Sequence, residues 1–154
     1  MSDSSKRTKR NLEALEGDLA SNRLHHALLL QGKNLSALEK GAIHLTRKIL
    51  GAKEETEEHP DLFHLRPSGK ARLITVESTR SLISDLNRSA SQGENKVALL
   101  HEVDRMRREA ANAFLKTLEE PPHGTFILMV TTRPYSLLPT IRSRCLQVRL
   151  DEKF

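Results

Sequence analysis

The chain has 154 residues, 37% apolar and 29% charged, with a formal net charge of +5. That length suits one domain with a sizeable core. No apolar run approaches the ~20 residues of a membrane-spanning helix, and the Ser-, Lys- and Arg-rich start lacks the apolar centre of a secretory signal. A single cysteine, Cys145, excludes an internal disulfide and a cysteine-cluster zinc site, which fits the cytoplasm. The modest positive charge is compatible with DNA nearby. One Tyr, four Phe and no Trp disfavour a base-stacking surface for single strands.

Residues 1–10 read as a disordered basic tail, solvated or contacting phosphate, ahead of one core domain over residues 11–154. Leu12, Leu15 and Leu19 predict a helix over Asn11–Ala20, with Asn11 as a cap. Arg23 to Gln31 is a turn feeding a buried strand, because Ala27 to Leu30 are continuously apolar. His25 and His26 on an extended segment point to opposite sides and share no metal. Apolar residues at 38, 42, 45, 49 and 50 predict a helix over Leu38–Leu50, ended by Gly51. Lys53 to Glu58 is a charged, solvated connector. Leu62 to Leu65 is a short strand entered through Pro60, and His59 and His64, separated by that proline, share no metal. After a Pro/Gly/Lys loop over Arg66–Arg72, Val76–Leu86 is a helix with Leu82, Ile83 and Leu86 apolar.

The second half carries the chemistry. Ser89–Asn95 turns the chain into a buried strand over residues 96–100. Glu109–Glu120 is a helix with Ala110, Ala113, Phe114, Thr117 and Leu118 on one side and Lys116 and Glu120 as an ion pair four apart. Pro121 and Pro122 stop it. Thr125–Val130 is the next strand, Leu137–Ile141 a helical turn, and Cys145–Leu150 the last strand, with Val148 and Leu150 on one face. Cys145 reads as a small core residue whose apolar setting raises its pKa. The two central strands end in polar residues: His101, Glu102 and Asp104 after one, Thr131, Thr132 and Arg133 after the other. Ligands of parallel α/β sheets sit at the carboxyl ends of the strands, so these ends point to a nucleotide-type site or its remnant.

Four segments carry a resemblance: Asp104-Arg105-Met106, Ala110-Ala-Asn-Ala-Phe-Leu-Lys-Thr-Leu-Glu-Glu-Pro-Pro122, Val130-Thr-Thr132 and Leu138-Pro-Thr-Ile-Arg-Ser-Arg-Cys145. On these the chain resembles the AAA+ clamp-loader subunits of bacterial DNA polymerase III. Delta-prime is nearer than gamma/tau. With Arg23-Leu-His-His-Ala27 the resemblance spans roughly residues 10 to 150. It implies a three-layer α/β P-loop NTPase-like domain with a mostly parallel five-stranded sheet. The lid and collar domains of such subunits are expected to be absent from this chain. Their four-cysteine zinc module is not carried over, and no metal site is expected.

A phosphate-binding loop needs glycines so that backbone N–H groups converge, a Lys for the β/γ-phosphates and a Ser/Thr for Mg²⁺. Laid on that pattern, Gly32 fits the first glycine, while Leu35 and Ala37 replace the next two. Leu38 takes the lysine position and Glu39 the hydroxyl position, where a carboxylate repels phosphate. The second motif, which should end in Asp-Glu, reads His101-Glu102, and imidazole is a poor partner for Mg²⁺. No cofactor is therefore expected in cis, and no intrinsic ATPase. Thr131 or Thr132 stands at the γ-phosphate-sensing position. In the resembling family the Arg of Ser143-Arg144-Cys145 reaches ATP bound by the neighbour, which makes Arg144 a trans arginine finger; Arg142 is the competing candidate. Arg105, Arg107 and Arg108 form either a solvated basic patch or a face toward DNA.

The resemblance thus implies a non-hydrolysing subunit of a DNA-directed DNA polymerase (nucleotidyltransferase) complex. Its partners would be gamma/tau and delta subunits and, through the complex, the sliding clamp and primed DNA, with no membrane. The alternatives are an active ATPase of gamma/tau type with an unusual loop and a stand-alone DNA-binding or scaffold module.

Overall fold

Strands whose residues are all apolar belong between two layers, and the pleat explains how both faces are used. In β1 (Ala27–Gln31), Leu28 and Leu30 point to one face and Ala27 and Leu29 to the other. The same alternation runs through β3 (Lys96–Leu100) and β4 (Thr125–Thr131), so each strand feeds two separate cores. With β2 (Leu62–Leu65) and β5 (Leu146–Arg149) they form one five-stranded sheet in the order β2-β3-β4-β1-β5. Every pairing is parallel, with Leu28 level with Leu128 on one side and Leu146 on the other. The computed structural model describes residues 3–54 and 56–151.

Helices α1 (Asp3–Ala20) and α2 (Leu35–Leu50) cover one face, packing Leu12, Leu15, Leu38 and Leu45 against Leu28, Leu30, Leu99 and Leu128. Helices α3 (Val76–Leu86) and α4 (Arg108–Glu119) cover the other, where Phe114 and Leu118 meet Leu29, Ala98 and Met129. A one-turn helix, α5 (Pro139–Arg142), leads into β5. Val148 and Leu150 both turn to the α1/α2 side.

Several expectations are corrected. The supposed tail is helical from Asp3, because Thr8 turns inward one period before Leu12 and Leu15; Lys6, Arg7, Lys9 and Arg10 remain on the solvent side. Met1 and Ser2 lie outside the described residues. Asn11 is therefore no cap: its side-chain amide donates to the Arg149 carbonyl at 2.8 Å. Helix α2 starts at Leu35, since Asn34 is its N-cap. The final strand begins at Leu146, leaving Cys145 half-buried in the preceding turn. His25 and His26 do not diverge; the chain bends there and their rings stack at 4.6 Å. Glu120 lies beyond the last helical residue at φ −134.

Candidate functional site

The strand order places β1 beside β4 and sends the chain across the sheet before β2, so the crevice for a ligand lies above the ends of β1, β3 and β4. The segment leaving β1 is Gly32-Lys33-Asn34. The Asn34 side chain accepts from the Ala37 N–H at 3.1 Å, and its carbonyl accepts from the Leu38 N–H at 3.1 Å. Residues 35–37 are helical, so their amides point along α2 instead of curling round a central point. Leu38 is fully buried under the sheet. Gly32 has a steric reason of its own: a Cβ there would stand 2.2 Å from the Leu150 carbonyl oxygen.

At the end of β3, His101 is buried and faces His64 of β2, with Nε2 2.8 Å from the His64 Nδ1. The other His64 nitrogen lies 2.5 Å from the Glu57 carbonyl, which can only accept. The network therefore assigns the proton on His64 to Nε2, so that His64 Nδ1 accepts from His101 Nε2–H. The remaining His101 nitrogen is 3.9 Å from Glu39. Burial, then the neighbouring Arg66 and His64, hold the His101 pKa down to about 4. Burial, then Glu102, push the Glu39 carboxyl above its usual range, with Arg66 opposing. Glu39, Glu57, His64, Arg66 and His101, with Ser36, Lys40 and Ile43, line a cleft of about 200 Å³. The next residue, Glu102, sits in the left-handed region at φ 46 and accepts from Arg72 at 2.9 Å.

Thr131, at the end of β4, is buried and its hydroxyl is used twice. It donates to Asp104 at 2.7 Å and accepts from the Arg133 N–H at 2.9 Å. Arg105, Arg107 and Arg108 are exposed around the start of α4. Beyond β4, the Arg142 guanidinium lies 5.7 Å over the ring of Tyr135, itself 89% exposed. Arg144 stays at the surface, its Nε and Nη2 both 2.6 Å from Glu119 Oε1 and its Nη1 donating to the Thr140 carbonyl at 2.8 Å. The Cys145 thiol donates to the Ile141 carbonyl and burial pushes its pKa up to about 12, so it stays protonated. Among the described residues, no group of three His, Cys, Asp or Glu could hold a metal ion, and no helix is long and apolar enough to cross a membrane.

Apart from Arg105, Arg107 and Arg108 at the start of α4, the sequence-predicted residues fall into two groups. Gly32, Leu38, Glu39, His101 and Glu102 gather around the ends of β1 and β3, whereas Arg142 and Arg144 lie beyond β4. Sequence reasoning missed His64, Arg72 and Glu119. The first could have been found by parity: His64 is level with Leu99, and His101 continues the face of Val97 and Leu99.

A parallel sheet in this order, with its working loops after β1, β3 and β4, is the core of an AAA+ protein of the P-loop NTPase-like class. The solved gamma subunit-related DNA polymerase III protein of Thermotoga maritima superposes with a TM-score of 0.78 at 30% identity, over 92% of this chain and 46% of that one. The Holliday junction branch migration motor RuvB of the same organism shares the fold, with a TM-score of 0.66 at 17% identity over 95% of this chain and 45% of that one. The chain belongs to the family described as DNA polymerase III, delta subunit, whose model matches residues 7–154, and it is of the delta-prime type. It is 36% identical to the delta-prime subunit of Yersinia pestis over 146 residues, covering 85% of this chain and 43% of the relative. To that of Pseudomonas aeruginosa it is 44% identical over 89 residues, 58% of this chain and 27% of the relative. It thus spans less than half the length of these relatives.

Proposed function

We propose that this chain is the core of a clamp-loader subunit that does not hydrolyse ATP itself and lends Arg144 to a neighbouring ATPase subunit. The observation that carries the reading is Leu38. It occupies the position of the phosphate-binding lysine and is fully buried, so no cation reaches the cleft from there. Other features support it. The Ala37 amide is already capped by Asn34. The cleft of about 200 Å³ is smaller than the ~300–1,000 Å³ of ligand pockets. The N–H of His101 is spent on His64, and Glu102 is engaged by Arg72. Neither a cofactor nor a metal is therefore assigned in cis.

Arg144 suits the trans role because its guanidinium is always charged, forked and near the surface, with 30% of its side chain exposed. An arginine supplied across a boundary stabilises charge on the phosphoryl group being transferred and is worth ~10³ or more in rate. Arg142 is the weaker candidate, being held over Tyr135. By family, the partners are gamma/tau ATPase subunits and delta, in a cytoplasmic complex that places the sliding clamp on primed DNA. The exposed Arg105, Arg107 and Arg108 suit sequence-independent phosphate contact.

Calorimetric titration of the isolated protein with ATP and Mg²⁺ is expected to show no binding; micromolar affinity would falsify the first half. In a complex reconstituted with gamma/tau and delta, Arg144→Ala is expected to lower turnover at the adjoining site by ~10³, and Arg142→Ala to leave it near the wild-type rate. Unchanged turnover with Arg144→Ala removes the second half. In the same assay, replacing Arg105, Arg107 and Arg108 by Ala is expected to weaken stimulation by primed DNA and flatten its salt dependence.

A further inference from the structure

We propose that Glu119 is a positioning residue for Arg144, holding one edge of its guanidinium so that two N–H hydrogens stay available for a neighbour's phosphate. The inference rests on the trans role of Arg144. Arginine has five N–H donors. The hydrogens on Nε and on one side of Nη2 meet Glu119 Oε1 at 2.6 Å, and one hydrogen of Nη1 meets the Thr140 carbonyl at 2.8 Å. Nη1 also lies 3.5 Å from the Ser143 hydroxyl, too long to hold a hydrogen firmly, so one hydrogen on each terminal nitrogen is left for a forked contact with an oxyanion. The two anchors belong to different elements, the last residue of α4 and the middle of α5, so they fix both the position and the plane of the group.

Neither helix stability nor ion-pair energy accounts for Glu119. A carboxylate in the last turn of a helix opposes the helix dipole. The Glu119 side chain is 49% exposed, and ion pairs in that setting add little to stability. What the pair does supply is pre-organisation. A long side chain that would otherwise sample many rotamers is fixed before the partner arrives, so less freedom is lost when phosphate is engaged. Glu119 touches no reacting atom; it acts through Arg144.

The test uses the reconstituted complex, with ATP turnover, assembly and thermal midpoints measured together. Glu119→Ala is expected to lower kcat by up to ~10²-fold, as a ~1 Å misplacement of a catalytic group does, with KM for ATP unchanged. Glu119→Gln keeps an acceptor oxygen and is expected to recover most of the rate. On the isolated protein, the Arg144 Nε–H signal in NMR is expected to exchange slowly with solvent in the wild type and fast in Glu119→Ala. Wild-type kcat in Glu119→Ala overturns the proposal. So does a raised kcat, since the carboxylate would then be parking the arginine, and so does a loss explained fully by weaker assembly. If Arg144→Ala is itself silent, the trans reading fails and this inference falls with it; if only the Glu119 variants are silent, this inference alone fails.

Discussion

His101 is a buried imidazole kept neutral by its surroundings. Desolvation leads, Arg66 and His64 add to it, and the pKa falls to about 4. The unfolded chain has an ordinary imidazole near 6.5, so it takes up a proton that the fold refuses. The contribution of His101 to stability is therefore complete above about pH 6.5 and is lost as pH falls toward 4. Glu39 acts with the opposite sign: its raised pKa favours the folded state as pH falls. Between pH 7 and pH 5 the unfolded imidazole takes up its proton while the folded one stays neutral. The urea midpoint of the wild type is expected to drop over that interval more than that of His101→Asn. Parallel pH profiles for the two proteins would remove the assignment.

Helix α2 decides what the loop after β1 can do. Its cap comes three residues earlier than the apolar pattern indicates, because Leu35 and Ala37 are compatible with helix and Asn34 completes the first turn. Asn34→Ala is expected to cost about 1 kcal/mol. Gly32→Ala, which drives a methyl group into the Leu150 carbonyl, is expected to cost about 1–3 kcal/mol. Both are read from urea unfolding; a neutral Gly32→Ala would mean the end of β5 can yield there. Most elements were legible in the sequence for a simple reason. Continuous apolar runs such as Ala27–Leu30 and Val97–Leu100 identify strands buried on both faces, and the 3.6-residue pattern of α3 and α4 marks their covered sides. For the site, motifs of fixed spacing could single out Leu38, Glu39 and Arg144 as candidates, and could do no more than that. Pairs such as His64 with His101 and Glu119 with Arg144 depend on strand register and on how α4 meets α5, which no local pattern encodes.

The two cores share the sheet but not their helices, and α1 is the layer that joins the start of the described chain to its far end. Leu12 and Leu15 bury against the α2 side, the Thr8 hydroxyl accepts from the Asp151 N–H at 3.0 Å, and Asn11 reaches the Arg149 carbonyl. Charge alone made this segment look dispensable, since Lys6, Arg7, Lys9 and Arg10 are exposed. An edge strand with polar, open flanks such as β5 needs something to hold its outer end. Deleting everything before Asn11 would thus unfasten a latch rather than trim a loose thread. The shortened protein is expected to melt several degrees lower and to exchange the backbone amide of Asp151 faster, and an unaltered melting temperature would show that the latch closes nothing.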